Sequence, residues 1–481
     1  MFLKYFYDKQ LAHASYLVAC QKSGDAIVID PGRDIRPYVE SAEAEGFQVV
    51  GAAETHIHAD FVSGSRELAA GHGVKLYLSD EGPADWKYEF ANRNDTVLLK
   101  DGDEFFIGNL KFKTMHTPGH TPESISFLLT DVGGGADLPM GIFTGDFVFV
   151  GSIGRPDLLE TAAGVVGSAE IGARQLYHSV LRFRALPDHM QVWPAHGAGS
   201  ACGKGLGAVP STTVGYEKLF NPALQYQDEQ SFVEYILADQ PETPYYFGVM
   251  KRVNKAGPAL IDSLPKVAKL LPSQLTAIAA SSLVIDDAAP SEFGQAHVPK
   301  TINLPPSSLV KWAGFLADYD SDLYLIVKPE HLEDRLRSLH SIGIDRVAGY
   351  FDAGEVKQSG LRTESYPSHD ARSLRDDIEA DRVELIDVRS TAEFNQQRIA
   401  RAQHIFLGEL GRRISEIDRK RIVVVQCEAG GRSTIAASIL QRAGFKVINL
   451  QGGIDAWNKA GLPLEAPQLQ PTASSEPLSV E

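Results

Sequence analysis

The chain reads as an α/β protein, and three observations carry that reading. Short apolar, strand-like runs alternate with helix-like runs along most of its length. Polar loops rich in histidine follow several strands of the first half, where α/β folds place their chemistry. In the second half one strand–helix pattern occurs twice, about 100 residues apart, as a duplicated domain would. A length of 481 residues fits about three domains of roughly 150 residues each.

Bulk composition narrows the function classes. Hydrophobic residues make up 43%, enough for several ordinary cores. A formal net charge of −16 argues against polyanionic substrates, so no nucleic-acid partner is expected. No apolar run reaches the roughly 18 residues that cross a bilayer, so no membrane span is expected. Residues 1–7 run straight into strand-like sequence and do not resemble a signal peptide. Cys20, Cys202 and Cys427 are too few and too scattered for a disulfide framework. A reducing cytoplasm is expected, with any important thiol doing chemistry.

In the first domain, strands are expected over 16–19, 26–30, 47–52, 74–78, 97–99, 110–115, 125–129, 141–144 and 191–194. Helices are expected over 35–45, 65–70 and 169–184. The loop after the 47–52 strand reads Thr55-His56-Ile57-His58-Ala59-Asp60-Phe61. Imidazoles two residues apart, with a carboxylate two further on, suit a metal site. Later strands end on further candidates. His116 lies in Thr114-Met115-His116-Thr117-Pro118-Gly119-His120-Thr121, Asp146 follows Phe143-Thr144-Gly145, and His196 sits in Pro194-Ala195-His196-Gly197. Four such loops, each bounded by Gly or Pro, are hard to explain as core histidines.

Together these motifs resemble the metallo-β-lactamase fold, and more closely its glyoxalase II and persulfide dioxygenase branch. Ser211-Thr212-Thr213, Glu217-Lys218 and Asn221-Pro222 are similar to the segment after the last metal histidine there. The resemblance implies an αββα sandwich over residues 1–255. Binuclear hydrolases of that fold carry His-x-His-x-Asp-His, but Phe61 stands in the last position here and cannot ligate a metal. A mononuclear non-haem iron(II) site is therefore implied, one Fe(2+) per chain, with His56, His116 and Asp146 as ligands and open positions for substrate and O2. His58, Asp60 and His196 are then expected to orient ligands or waters. Gly154-Arg155-Pro156-Asp157 resembles the family's loop beside the substrate thiol, where Arg155 could bind a carboxylate-bearing thiol. Cys202, shortly after His196 and near Lys204, is a candidate to receive or relay a sulfur atom, or else a small buried residue.

The duplicated pattern lies further on. Leu283-Val284-Ile285-Asp286-Asp287, Ser291-Glu292-Phe293 and His297-Val298-Pro299 parallel Leu385-Ile386-Asp387-Val388-Arg389, Ala392-Glu393-Phe394 and Arg398-Ile399-Ala400. In the second copy a buried parallel strand over 422–426 runs into Cys427-Glu428-Ala429-Gly430-Gly431-Arg432-Ser433, with a helix pattern over 434–442. A cysteine between a strand and a helix N-terminus can be surrounded by backbone N–H groups. The helix dipole and Arg432 then favour thiolate over thiol, whose free pKa is about 8.5.

This region resembles the rhodanese sulfurtransferases, whose active loop reads Cys-x-x-Gly-x-Arg-Ser, and Asn449-Leu450-Gln451-Gly452-Gly453 fits as well. The resemblance implies catalysis by Cys427 with Arg432, and a cradle for the transferred sulfur formed by Glu428, Ala429, Gly430, Gly431 and Ser433. Gln397-Arg398-Ile399-Ala400-Arg401-Ala402 departs from the family's Gly-His-Ile-x-Gly-Ala in a mainly structural stretch. The first copy has Lys328-Pro329-Glu330 where the second has its cysteine loop, so it is read as inactive. The expected layout is 1–255 for the metal domain, 256–367 for a linker and the inactive copy, 368–465 for the active copy, and 466–481 for a disordered tail.

As a whole the chain resembles the persulfide dioxygenase–sulfurtransferase fusions of bacterial sulfide detoxification. That resemblance implies oxidation of a low-molecular-weight thiol persulfide by O2 to sulfite and free thiol. A Cys427 persulfide would pass its sulfane sulfur to sulfite and form thiosulfate, or use thiosulfate in reverse. Joining the sites raises the effective concentration of sulfite near its acceptor. A homo-oligomer is expected. Two alternatives stay open, a binuclear zinc thioester hydrolase of the glyoxalase II type and a non-enzymatic persulfide carrier.

Overall fold

Seven consecutive residues, His13–Ala19, form a strand in which every side chain is buried, and that strand shows how the first domain is layered. Side chains alternate faces along a strand, so a strand buried on both faces lies between two packed layers. One face, with Ala14, Tyr16 and Val18, packs against Phe112, Phe127, Phe143 and Trp193. The other, with Leu17 and Ala19, packs against Tyr38, Ala42 and Leu68. Tyr38 and Ala42 lie on the helix Arg36–Ala44 and Leu68 on the helix Ser65–His72. The computed structural model describes residues 1–466 apart from 92–94, 159, 161–166, 239 and 241. The expected tail thus lies outside the described residues from 467 on. The chain divides into two compact units, Met1–Lys269 with Pro306–Tyr350, and Leu270–Pro305 with Phe351–Glu481.

In the first unit, β1 (Phe2–Asp8), β2 (His13–Ala19), β3 (Asp25–Ile29), β4 (Gln48–Ala53), β5 (Lys75–Ser79) and β6 (Thr96–Leu99) form one sheet in sequence order. The pairs β1–β2 and β2–β3 are antiparallel, and β3 through β6 are parallel. The second sheet uses β7 (Glu104–Ile107), β8 (Leu110–His116), β9 (Ile125–Asp131), β10 (Gly141–Gly145), β13 (Gln191–Pro194) and β14 (Thr212–Thr213), in the order β14-β13-β10-β9-β8-β7. The hairpin β11 (Val148–Phe149) and β12 (Ser152–Ile153) lies between β10 and β13 in the chain. The outer face of this sheet buries Met115, Ile142 and Val192 against Leu176, Val180 and Phe183 of the helix Ser168–Arg184. Helices, two sheets and helices make the expected αββα sandwich. The expected strands fall within three residues of observed ones, but the two-residue strands β11, β12 and β14 were not anticipated, nor was β7, whose four residues bury only alternate positions.

The segment Pro306–Tyr350 belongs to this same unit and grips the metal-loop side of the sandwich. Val62 N–H donates to Ser341 O at 2.8 Å. Arg33, whose side chain is 1% exposed, donates to both carboxylate oxygens of Asp345 at 2.5 and 2.9 Å. It also donates to His340 O and Ala259 O. Asp345→Ala would leave a buried guanidinium short of its counter-charge. It is expected to cost roughly 3 kcal/mol of stability, read by urea denaturation. A change below about 0.5 kcal/mol, the range of neutral surface substitutions, would show that the clasp contributes little.

The second unit contains a five-stranded sheet of order β20-β24-β23-β21-β22. Its strands are β20 (Ser368–His369), β21 (Glu384–Asp387), β22 (Gln403–His404), β23 (Val423–Gln426) and β24 (Val447–Leu450), all paired in parallel. Central β23 is wholly buried, as expected for a strand covered on both faces. The two stretches read as copies pair their strands alike. In the first copy β16 (Leu283–Asp286) pairs in parallel with β17 (Ile302–Asn303), as Ile285 with Ile302 and Asp286 with Asn303. In the second, β21 pairs with β22 as Ile386 with Gln403 and Asp387 with His404. Strand β18 (Leu323–Val327) of the first copy leads into Lys328, not a cysteine loop.

Candidate functional sites

The loop after β4 is fixed from beneath by carboxylates. Asp30, held in the left-handed region at φ 49°, accepts hydrogen bonds from the Thr55 amide at 2.7 Å and the Thr55 hydroxyl at 2.9 Å. Glu123 accepts from the Ile57 amide at 2.8 Å. Since Thr55 Oγ1 spends its proton on Asp30, it accepts from His56 Nδ1, 3.0 Å away. That leaves His56 Nε2 with its lone pair directed inward. His120 is set the same way: Nδ1 lies 3.0 Å from Arg155 O, which can only accept. Burial, with the neighbouring imidazoles, pushes the His56 pKa well below its ordinary value. Burial also lowers His120, so both rings are neutral and able to ligate.

These two nitrogens converge on Asp146, which follows β10. Asp146 Oδ2 lies 4.0 Å from His56 Nε2 and 3.5 Å from His120 Nε2. His56, His120 and Asp146 offer three ligand atoms within 4.8 Å of one another, all buried. Both Asp146 oxygens are buried and lack a hydrogen-bond donor. Orphaned carboxylate oxygens facing two neutral imidazoles fit a divalent cation held by two histidines and one carboxylate. Asp30, Glu54, Asp60, Glu123 and Asp146 are all buried around this cluster, together with His58 and His196.

The expected ligand His116 requires correction. Its side chain is 24% exposed, with Nδ1 4.0 Å from Glu81 and Nε2 2.9 Å from Pro122 O. Four residues on, His120 takes the inward position. Strand β8 runs through His116, and the chain turns inward only after Thr117-Pro118-Gly119. Gly119, at φ 142°, could not carry a side chain, because a Cβ there would meet Leu176 at 2.4 Å.

His58, Asp60 and His196 surround this triad. His58 Nε2 lies 3.1 Å from Asp30. Burial alone would lower its pKa, but Asp30, Glu54 and Asp60 carry it up to about 9. His196 Nδ1 is fixed 2.9 Å from Ala12 O, and Nε2 lies 3.1 Å from Asp60 Oδ2 and 3.4 Å from Asp146 Oδ1. Burial opposes its charge, yet Asp146 and Asp60 hold its pKa well above the ordinary value. Cys202 joins Asp60 and His196 in a second buried group of donor atoms. Burial, with Asp146 and Asp60 nearby, pushes its thiol up to about 12, so it is protonated at neutral pH. Phe61 is buried with its ring 3.8 Å from His13 and 4.4 Å from His58.

Arg155 also departs from expectation. Its guanidinium is 1% exposed and donates to both oxygens of Asp157, to Thr243 Oγ1 at 3.0 Å and to Ala201 O at 3.3 Å. The same residue's amide donates to Cys202 O. Arg155 thus ties the Cys202 loop to His120 and is not open to a substrate carboxylate.

The second site is built by β23 and the helix Gly431–Arg442. Cys427 is buried at the strand end, and Gly430 N–H donates to its sulfur at 3.1 Å. Ser433 Oγ bonds Asn449 at 2.7 Å and Gly430 O at 3.0 Å, which braces the turn. Gly452-Gly453 supports the loop from below. Ile454 N–H donates to Cys427 O and Asp455 N–H to Glu428 O, and a Cβ on Gly453 would lie 2.1 Å from Cys427 O. Arg432 donates to both carboxylate oxygens of Glu393, at 2.6 and 2.5 Å. Glu393 was expected only as a repeat marker. Its partnership was foreshadowed by the Ser390-x-x-Glu393 capping box, which turns the carboxylate back toward the helix start.

Comparison with known proteins follows the same division. Residues 9–196 match the metallo-β-lactamase superfamily, and residues 370–460 match the rhodanese-like domain. A crystal structure of a metallo-β-lactamase from Staphylococcus aureus is 42% identical, with a TM-score of 0.66, covering 73% of this chain and 98% of that one. The mitochondrial persulfide dioxygenase of Bos taurus is 28% identical over 239 residues, covering 47% of this chain and 78% of the relative. The hydroxyacylglutathione hydrolase of Gloeobacter violaceus is 34% identical over 174 residues, covering 36% of this chain and 58% of the relative.

Proposed function

We infer the function from one premise, that the chain belongs to the metallo-β-lactamase superfamily and carries a C-terminal rhodanese-like domain. It is a persulfide dioxygenase fused to a sulfurtransferase, in sulfide detoxification. The dioxygenase half takes a low-molecular-weight thiol persulfide and O2 and yields sulfite and the free thiol. The sulfurtransferase half moves sulfane sulfur between a persulfide and sulfite or thiosulfate through Cys427.

The observation that carries this reading is the pair of inward Nε2 atoms of His56 and His120 beside the unpartnered Asp146, with Phe61 where a binuclear hydrolase has its last histidine. Those three side chains would hold one iron(II) per chain, which would supply the one-electron chemistry that O2 requires. The chain's own groups do the rest. Thr55 and the Arg155 carbonyl hold the two imidazoles in their ligating tautomers. Ala12 O fixes the His196 ring, whose Nε2 lies 3.1 Å from Asp60 and 3.4 Å from Asp146, so that this pair packs against the ligating carboxylate. Burial of the whole cluster keeps bulk water away from a reactive persulfide.

A second reading, a binuclear zinc thioester hydrolase, draws on the similarity to the hydroxyacylglutathione hydrolase. The deciding experiment is O2 uptake by iron-loaded protein across a panel of persulfides of glutathione, coenzyme A, bacillithiol and cysteine, with sulfite and thiosulfate quantified. At least one persulfide should drive O2 uptake. Two zincs per chain with thioester turnover and no O2 uptake would establish the hydrolase instead.

A further inference from the structure

We propose that the Cys427 loop is loaded by thiol persulfides and discriminates against thiosulfate, with Glu428 as the specificity-determining residue. The proposal rests on the sulfurtransferase reading of Cys427 and deepens it by naming the donor class.

The charge arrangement at the loop carries the argument. Arg432 is the one cationic side chain in the run 427–433. Both of its terminal nitrogens are committed to Glu393, and one lies 3.5 Å from Glu428. Glu393 is itself fixed by the amide and hydroxyl of Ser390 at 2.9 and 2.8 Å, so the guanidinium is held away from an incoming anion. Asp455 sits alongside, its amide bonded to Glu428 O. One guanidinium therefore faces two carboxylates, Glu393 and Glu428, and Asp455 adds its negative charge to the field at Glu428. The Glu428 carboxyl shows the crowding, since burial, and then Glu393 and Asp455, raise its pKa. Of the three, Glu428 is the exposed one, its side chain 58% accessible and placed directly after Cys427.

The sulfur is cradled by backbone, through Gly430 N–H, and not by a free side-chain cation. Such a cradle suits the outer sulfur of a thiol persulfide, which carries at most one negative charge. Thiosulfate brings two into the same field. In loading, the Cys427 thiolate attacks the outer sulfur of R–S–SH. The Cys427 S–S bond forms, the donor S–S bond breaks, and R–SH leaves with the proton. Sulfite then attacks the outer sulfur of Cys427–S–S⁻ with its lone pair, which frees the thiolate and releases thiosulfate. No net oxidation occurs in either step. The acidic mouth opposes sulfite too. Fusion offsets that, because sulfite made in the same chain is locally concentrated, an advantage that external thiosulfate lacks.

The test uses the full-length protein and follows the 32-Da mass gain at Cys427. Loading from glutathione persulfide and from thiosulfate is compared in wild type, Glu428→Gln, Glu428→Lys and Glu428→Asp. Glu428→Gln should raise the ratio of thiosulfate to persulfide loading efficiency by about 3- to 10-fold, and Glu428→Lys by more. The change should lie in the thiosulfate KM and shrink with added salt, and Glu428→Asp should retain the wild-type ratio. An unchanged ratio in both Glu428→Gln and Glu428→Lys would overturn the proposal and leave the sulfurtransferase reading standing. No loading of wild type from either donor would overturn both.

Discussion

Replacing His120 by Ala should remove the bound metal and O2-dependent turnover together, whereas His116→Ala should keep both. The two histidines share one motif, so the contrast isolates geometry from composition. His120 Nε2 points at Asp146 from 3.5 Å with its other nitrogen fixed by Arg155 O. His116 Nε2 instead meets Pro122 O, and its ring is partly in solvent. Losing one of three protein ligands should weaken iron binding by at least about 100-fold, the upper end of what loss of a ligand's orienting partner costs. Iron content and O2 consumption read the effect. Persulfide loading of Cys427 in the same His120→Ala protein serves as the folding control. Retention of iron by His120→Ala, or its loss from His116→Ala, would return His116 to the ligand set.

Much of this was legible in the sequence, and what was missed has a common cause. The layered fold is written in apolar runs such as that of β2, buried on both faces, and in the polar loops that follow β4, β8, β10 and β13. The cysteine loop could be read because strand, loop and helix are contiguous. His116 and His120 could not be separated by motif alone, because the choice depends on where β8 ends and on a glycine packed against Leu176. Arg155 reads in sequence as a free cation. Only the folded chain brings Thr243 and Ala201 to its guanidinium, from residues 88 and 46 positions away. Asp30 and Glu123 were not singled out at all. An acid at a strand end has no pattern of its own until the loop that it anchors is placed above it.

Part of the stretch expected to be an inactive copy also gains a physical role. Residues 306–350 belong to the compact unit of the candidate metal loop. Ser341 O accepts the amide of Val62, directly after Phe61, and Asn254 donates to His58 O and Phe61 O from the other side. The loop that carries the candidate ligands is thereby held at both its middle and its exit. Precise ligand placement needs such support, because an unsupported first layer of ligands is loose.

Cys427→Ser should leave O2 uptake intact and move the sulfur product from thiosulfate to sulfite. On the proposed reading, oxygenation depends on His56, His120 and Asp146 and makes no use of the Cys427 thiol. On that reading thiosulfate formation requires the thiol, because a serine hydroxyl cannot carry sulfane sulfur. The other two cysteines are both buried. Cys202 is buried with its thiol pushed up to about 12, and a protonated thiol is a poor nucleophile. Cys20 packs in the core between the sheets, with its sulfur accepting the Asn109 amide at 3.3 Å. Enzymatic thiosulfate formation should therefore fall by at least about 100-fold once the protein-free rate of sulfite with persulfide is subtracted, while sulfite rises to match O2 consumed. Chromatography of the derivatised sulfur products alongside an oxygen electrode gives both numbers from one reaction. Thiosulfate formed at the wild-type rate would mean that sulfite meets its sulfur donor at the metal site, and the two halves would no longer be separate steps.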